Sequence, residues 1–346
     1  MIAMRILLAG YYCHFHHEEA WARALRELGH TVIEFRMAPY IRSFLDRVQN
    51  RFVFGPLLWR VNKEFLQLAE ESNPDVVVCY RALLLYPETL EQLRCQTTAI
   101  LVCYQCDNIF GPLRRKAYWR HFRRAIPLYD IHFVFRHSDI SNYQRMGAKR
   151  VVLLRHHYLP WLHRRLPPKE VEGWESDIGF FGHCEPDVRL EQMDTLMRRV
   201  PARYRLHGTP WNKYAKGRAW EGMDTHEIQG EEYVKAINGA KIALVFLSSL
   251  NEDTYTTRCF EIPACGTFML SQRTDDLLTL YEEDREAVFF SSAEELVDKA
   301  RYYLTHDSER ERIAEAGWRR CTTSGYDIYS RMKEWLREVE KMRGNQ

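Results

Sequence analysis

Short, continuous apolar runs alternate with amphipathic stretches along the chain, and this alternation restricts its possible folds most. MRILLAG reads as a strand and EEAWARALRELGH as a helix ending near Gly29. TVIEF is a second strand, and DVVVCY follows the turn signal Ser72-Asn73-Pro74. PETLEQLRC then reads as a helix, and TAILVCY, IHFVF and VVLLR as further strands, the last two separated by the helical SDISNYQRMG. Strands without a polar face need cover on both sides, and intervening helices supply it, so the expectation is a parallel sheet with helices on each face.

The segment RRLPPKEVEGWES, residues 164–176, interrupts the pattern with two adjacent prolines, a glycine and mixed charges, and reads as a linker. A second alternation follows: DIGFFG, RLEQMDTLMRRV, RYRLHG, EEYVKAING, KIALVFL, TFML, AVFF and SAEELVDKARYYLTH. The expected class is α/β with two Rossmann-like, doubly wound domains, over residues 1–165 and 177–325, joined by a linker at 166–176. The last stretch, 326–346, reads as a helix that can return to the first domain. A chain of 346 residues is long enough to bury two cores.

Composition removes several function classes. Hydrophobic residues make up 46% and charged residues 28%, the balance of a globular protein, and the net charge of +2 gives no global field for nucleic acid. No apolar run approaches the ~20 residues that cross a bilayer. MIAMRILLAG is too short for a signal-peptide core, and nine scattered cysteines, an odd number, read as reduced thiols of a cytoplasmic protein. One local exception is LRRKAYWRHFRRA, where six basic residues between Arg114 and Arg124 stand among aromatics. A solvated helix face, a phosphorylated acceptor, an anionic lipid surface and a nucleic-acid strand are all compatible with it.

Ligands of doubly wound sheets sit at the carboxyl ends of strands, so loops leaving strands are the places to search. After KIALVFL comes LSSLNEDTYTT and then RCFEIPACGTFMLS, where Arg258 and Glu261 interrupt an apolar run. Asp253 and Thr254 read as helix N-caps, with Thr256, Thr257 and Arg258 in the first turns and Glu261 about two turns in. Amides and hydroxyls at such a helix start attract phosphate; an internal Arg258–Glu261 ion pair at i, i+3 is the alternative. GFFGHCEPDVR places Gly182 and His183 in a turn where backbone amides can approach a phosphate, with Arg189 opening the next helix. His14, His16 and His17 are spaced too irregularly for a metal site, and Cys103 and Cys106 have no second pair at zinc spacing.

RCFEIPACGTFML, followed by EELVDKARYYLTHDSERERIAEAGWRR, resembles the C-terminal domain of GT-B glycosyltransferases. Within them it looks most like the CgeB-like (spore maturation protein) group, related to the retaining family 4 enzymes. SDIGFFGHCEPDVRLEQMDTL, RYRLHGTPW, EEYVKAINGAKIAL and YDIHFVFRHSDISNYQRMGAKRVVLL fit the same group. The resemblance implies two domains facing across a cleft and a UDP- or GDP-linked sugar donor bound without a metal. It implies that Glu261 grips the donor ribose and Arg258 the diphosphate, or holds Glu261. Asp253 stands where relatives carry a glutamate near the sugar. By the same likeness Gly208 and Trp211 lie beside the base, Trp211 as a stacking surface. His14 and Asp107 then fall to the acceptor side, as groups that orient or deprotonate its hydroxyl. Transfer to nucleic acid, such as modified bases of phage DNA, and a catalytically silent sugar-nucleotide-binding protein are the other functions compatible with the sequence.

Overall fold

The computed structural model describes residues 3–13, 15–111 and 119–344. The chain divides into two compact units, one holding the residues up to Arg155 together with those from Ile328, the other His156–Asp327. The Pro-rich segment expected to link the domains lies inside the second unit, where Pro168–Glu170 forms a single 3-10 turn.

The first unit contains β1 (Arg5–Gly10), α1 (Ala20–Glu27), β2 (Thr31–Arg36), α2 (Phe44–Phe52), α3 (Pro56–Ser72), β3 (Val76–Tyr80) and α4 (Pro87–Gln96). β4 (Ile100–Gln105), α5 (Arg120–Ala125), β5 (Ile131–Val134), α6 (His137–Arg145) and β6 (Val151–Leu153) follow. Its six strands are parallel, in the order β2-β1-β3-β4-β5-β6. β3 and β4 are buried along their whole length, as continuous apolar runs require. Between β2 and β3 lie α2 and α3, two helices that strand-and-helix patterning did not single out.

The second unit runs through β7 (Ser176–Phe181), α7 (Val188–Arg199), β8 (Tyr204–His207), α8 (Gly230–Asn238), β9 (Ala240–Val245), α9 (Arg258–Ala264) and β10 (Phe268–Gln272). It continues with α10 (Asp275–Leu280), β11 (Val288–Phe290), α11 (Ala293–Thr305) and α12 (Asp307–Thr323). Its sheet is also parallel, ordered β11-β10-β9-β7-β8. The final helix, α13 (Ile328–Arg343), packs on the first unit: Trp335 lies with its ring centroid 6.1 Å from that of Trp21 in α1, and Glu338 pairs with Arg150.

Each order reverses direction once. In the first unit the reversal falls at β1, between β2 and β3; in the second it falls at β7, between β8 and β9. Connections leave the sheet to opposite faces at such a point and open a crevice at the carboxyl ends of the strands. The loops after β1 and β3, and those after β7 and β9, are therefore where each unit can hold a ligand.

Candidate functional site

In the second unit the loop after β7 is built around an arginine. Arg189 is buried; its Nε and Nη2 donate to the two oxygens of Asp187 at 2.9 and 3.1 Å, Nη1 to His183 O at 2.7 Å, and Nη2 to Leu247 O at 3.1 Å. Glu185 lies 3.4 Å from Nη2 and accepts a 2.6 Å hydrogen bond from Ser248 Oγ, while Ser249 Oγ donates to Asp187 at 3.2 Å. The expectation that Arg189 contacts a donor is corrected accordingly. Its guanidinium ties the β7 loop to the β9 loop from beneath, with its donors directed at protein oxygens.

Gly182 and Gly208 follow β7 and β8. A Cβ on Gly208, whose φ is +138°, would lie 2.2 Å from Gly182 O, so the two loops touch backbone to backbone. A Cβ on Gly182 would lie 2.7 Å from Arg258 Nη1. The Gly182 N–H itself donates to His207 O at 2.9 Å and the Cys184 N–H to Thr209 O at 3.0 Å. Gly182 thus provides room, where an amide pointing at phosphate was expected. His183 is exposed, with its Nδ1 donating to Thr209 O at 2.9 Å.

Trp211 differs from expectation. It is fully buried, packs edge-on against Trp220 and Phe180, and donates its Nε1–H to Gly182 O at 3.0 Å. An indole enclosed in the core has no face left for a base; it fixes the Gly182 carbonyl instead.

The helix carrying the charged pair begins later than its cap residues suggested. Thr257 is the N-cap of α9, and Arg258 its first residue, so Glu261 sits in the first turn. Asp253 lies in the preceding loop, its N–H donating to Ser248 O, and Thr254 Oγ1 donates to Asp276. The start of α9 caps itself: Thr256 Oγ1 accepts from Arg258 N at 3.4 Å, Thr256 O from Cys259 N, and Thr257 O from the amides of Phe260 and Glu261. The free helix-start amides expected for phosphate are engaged, and the positive charge comes from Arg258. Its guanidinium carbon stands 5.5 Å above the Phe180 ring, and its Nε is buried without a hydrogen-bond partner among the described residues.

Glu261 is buried and its partners come from elsewhere in the chain. Tyr233 Oη of α8 donates to Oε2 at 2.6 Å, and His163 Nε2 stands 3.7 Å from Oε1. His163 Nδ1 accepts from Leu159 N at 2.9 Å, which leaves the proton of the neutral ring on Nε2, facing the carboxylate. Burial pushes the His163 pKa down to about 3, so the ring stays neutral at ordinary pH. The sequence offered no local signal for Tyr233 or His163, which are distant from Glu261 along the chain.

In the first unit His14, and the basic run from Arg114 to Tyr118, lie outside the described residues. The described remainder of that run is engaged with protein: Arg120 donates to Val53 O, Arg123 to Ile109 O, and Arg124 pairs with Glu88. Asp107 follows β4 as expected and forms an ion pair with Arg81 at 2.8 Å. Arg81, just beyond β3, has a φ of +49°, a strained backbone for a residue with a Cβ. Glu18 has no distinguishing signal in the sequence. It is buried beyond β1, its Oε1 accepts from Tyr11 N at 2.9 Å, and a Cβ on Gly10 would lie 2.5 Å from that oxygen. Burial raises its pKa, against backbone hydrogen bonds and the Arg81 charge, which lower it. Among the described residues no group of three His, Cys, Asp or Glu side chains is arranged to hold a metal ion, and the nine cysteines are free thiols.

Residues 189–337 match the Glycosyl transferase-like family. HepE from Anabaena, in complex with UDP and glucose, superposes with a TM-score of 0.70 at 11% identity, over 98% of this chain and 100% of its own. Sucrose-phosphate synthase from Thermosynechococcus elongatus gives 0.69 at 13% identity, over 99% and 100% of the two chains. A glycosyltransferase from Rickettsia africae gives 0.70 at 11% identity, over the full length of both. No curated protein matches the sequence. The chain has the α/β fold of these GT-B proteins, two parallel sheets with flanking helices, and carries a glycosyl transferase-like region over 189–337.

Proposed function

We propose that the chain is a glycosyltransferase that moves a sugar from a UDP-linked donor to an acceptor hydroxyl. The observation that carries this reading is the placement of Arg258 against Gly182 at the β7 reversal, with the buried Glu261 carboxylate one helical turn behind it. A cation facing a glycine turn suits a diphosphate, and an oriented carboxylate suits the vicinal hydroxyls of a ribose. Gly208 keeps the neighbouring loop close, Arg189 and Trp211 hold the β7 turn in place, and Thr256 and Thr257 set the start of the helix. His183 and Asp253, on the loops after β7 and β9, are assigned to the phosphates and the sugar. The UDP and glucose in HepE support uridine over guanosine.

Charge developing on the leaving diphosphate is assigned to Arg258, so the reading requires no divalent ion, and activity should persist in a chelator. Retention at the anomeric carbon and membership of the CgeB-like group belong to the same reading and rest on the resemblance of RCFEIPACGTFML. The acceptor is assigned to the first unit, through Asp107 and Glu18, and the free thiols favour a cytoplasmic setting. Among the described residues no observation favours nucleic acid as acceptor.

Calorimetry with UDP, GDP and their sugars tests the donor site. Wild type should bind UDP, and Glu261→Ala should bind it about tenfold or more weakly, the loss expected of an ionic hydrogen bond. Equal affinity in the two would remove Glu261 from the ribose role. A wild type that binds neither nucleotide would overturn the reading, and binding without sugar release to any acceptor would indicate a sugar-nucleotide-binding protein.

A further inference from the structure

Amphipathic helices ordinarily turn the apolar stripe toward the body of the protein. α2 does the reverse. At 100° per residue Phe44, Val48, Phe52 and Leu45 share one arc of the helix. Phe44 is 72%, Leu45 67% and Phe52 45% exposed, and α2 has no buried residue. Its polar residues make the contacts instead: Asn50 accepts from Tyr11 Oη at 2.8 Å, and Gln49 from Leu57 N at 2.7 Å. Asp46 closes a capping box with Ser43.

The stripe continues past the helix. Phe54 is 48% and Trp59, in the first turn of α3, 65% exposed. The turn between α2 and α3 is fixed: Val53 is buried in a left-handed conformation, and its carbonyl accepts from Arg120 Nη2 at 2.8 Å and His121 Nε2 at 3.0 Å. Five large apolar side chains thus stand out from a pinned frame within sixteen residues, Phe44 to Trp59. Cations border them. Residues 42–64 contain Arg42, Arg47, Arg51, Arg60 and Lys63 against Asp46, which pairs with Arg60, and Glu64, which accepts from Tyr40 Oη. Arg47 and Arg51 are exposed along one edge of the stripe, and Lys63 Nζ stands 5.4 Å from the Trp59 ring centroid.

We propose that this face docks the protein on an anionic lipid bilayer, with α2 lying in the headgroup region and Phe44, Leu45, Phe52, Phe54 and Trp59 entering the acyl boundary. Apolar and aromatic side chains bordered by arginine and lysine match that interface, where the rings find hydrocarbon and the cations find lipid phosphates. No helix among the described residues is long and apolar enough to span a membrane, so the contact is peripheral. A second copy of the chain is the poorer occupant, because a two-fold contact would set the same cations against themselves. The proposal is independent of the donor-site assignment.

Flotation of the full chain with phosphatidylcholine vesicles, with and without phosphatidylglycerol, tests it. Wild type should float with the anionic vesicles and much less with the neutral ones, and salt should weaken the binding. Phe44→Ser/Leu45→Ser/Trp59→Ser should lower the affinity by about tenfold or more, and Arg47→Glu/Arg51→Glu should flatten the salt dependence. All five positions are exposed, so both variants should keep the wild-type melting temperature. Absence of wild-type binding to anionic vesicles, or equal binding by the triple serine variant, overturns the proposal. A wild-type dimer that this variant dissociates, without vesicle binding, would reassign the face to self-association.

Discussion

Tyr233 donates a 2.6 Å hydrogen bond to Glu261 Oε2, joining α8 to the first turn of α9 beneath the proposed ribose site. With the neutral His163 ring facing Oε1, this bond sets the plane of the carboxylate. A neutral phenol and a neutral imidazole orient the group without cancelling its charge, which a guanidinium partner would do. Tyr233→Phe should weaken UDP binding by about tenfold, given ~1.5 kcal/mol for a hydrogen bond to a charged group. The loss should vanish for 2′,3′-dideoxyuridine diphosphate, which has no hydroxyls for the carboxylate to hold. Equal losses for both ligands, measured by calorimetry, would mean that Tyr233 acts through general packing.

Gly182 and Gly208 should respond differently to the same methyl group. At Gly208 the added Cβ meets Gly182 O, a backbone atom, and φ is +138°. Gly208→Ala should therefore lower stability, by about 1–3 kcal/mol for a forced backbone, and lower the melting temperature with it. At Gly182 the obstacle is the end of the Arg258 side chain, which can move. Gly182→Ala should keep a melting temperature close to wild type and lose affinity for UDP as the guanidinium is displaced. Thermal unfolding and calorimetry on the pair separate these outcomes; full UDP affinity in Gly182→Ala would detach Arg258 from the diphosphate.

The sheets were legible because runs such as VVVCY and ILVCY have no charged or amide face, and only a sheet covered on both sides can accept them. The start of α9 was not, because Asp253 and Thr254 have the chemistry of helix caps but form other contacts, with Ser248 and Asp276, that only the folded loop creates. Trp211 and Arg189 depart from a ligand-facing placement for a related reason. An indole or guanidinium that would serve a ligand serves equally well inside, provided its donors find oxygens, and both found them in the β7 turn. α2 escaped notice because outward apolar residues weaken the usual sign of a core-facing helix. The partners of Glu261 could not be seen at all, since Tyr233 and His163 reach it only through tertiary packing.

In the first unit Asp107 and Glu18 should separate by stability. Asp107 is ion-paired and partly exposed, so Asp107→Asn should leave the fold and UDP affinity unchanged while turnover falls by about 10²-fold, the scale of a lost acid–base or orienting group. Glu18 carries a desolvated carboxylate whose pKa burial has raised, so it is a source of instability as an anion. Glu18→Gln keeps an acceptor for Tyr11 N and removes the charge, and should raise the melting temperature at neutral pH while lowering turnover. Full activity in Asp107→Asn would remove Asp107 from the reaction. A Glu18→Gln variant less stable than wild type would show that the carboxylate's hydrogen bonds outweigh its burial.

Two buried histidines each contribute an acid dependence of the same sign. Burial lowers the His163 pKa to about 3 and that of His132, whose Nε2 donates to Ile126 O at 2.8 Å, to about 4. The unfolded chain binds these protons near pH 6.5 and the folded chain does not, so the folded state is penalised as pH falls below that value. Their stabilising contribution is complete above pH 6.5. It is lost by up to about 1.4 kcal/mol per pH unit for each ring, down to about pH 4 for His132 and pH 3 for His163. His163→Asn retains an acceptor for Leu159 N but nothing that titrates in this window. Urea unfolding across pH 4–7 should give this variant a lower plateau, from the smaller side chain, and a shallower acid limb than wild type. Parallel limbs would mean that the imidazole takes up its proton in the folded state, and donor binding would then have to change near pH 6.5 as the ring beside Glu261 gained charge.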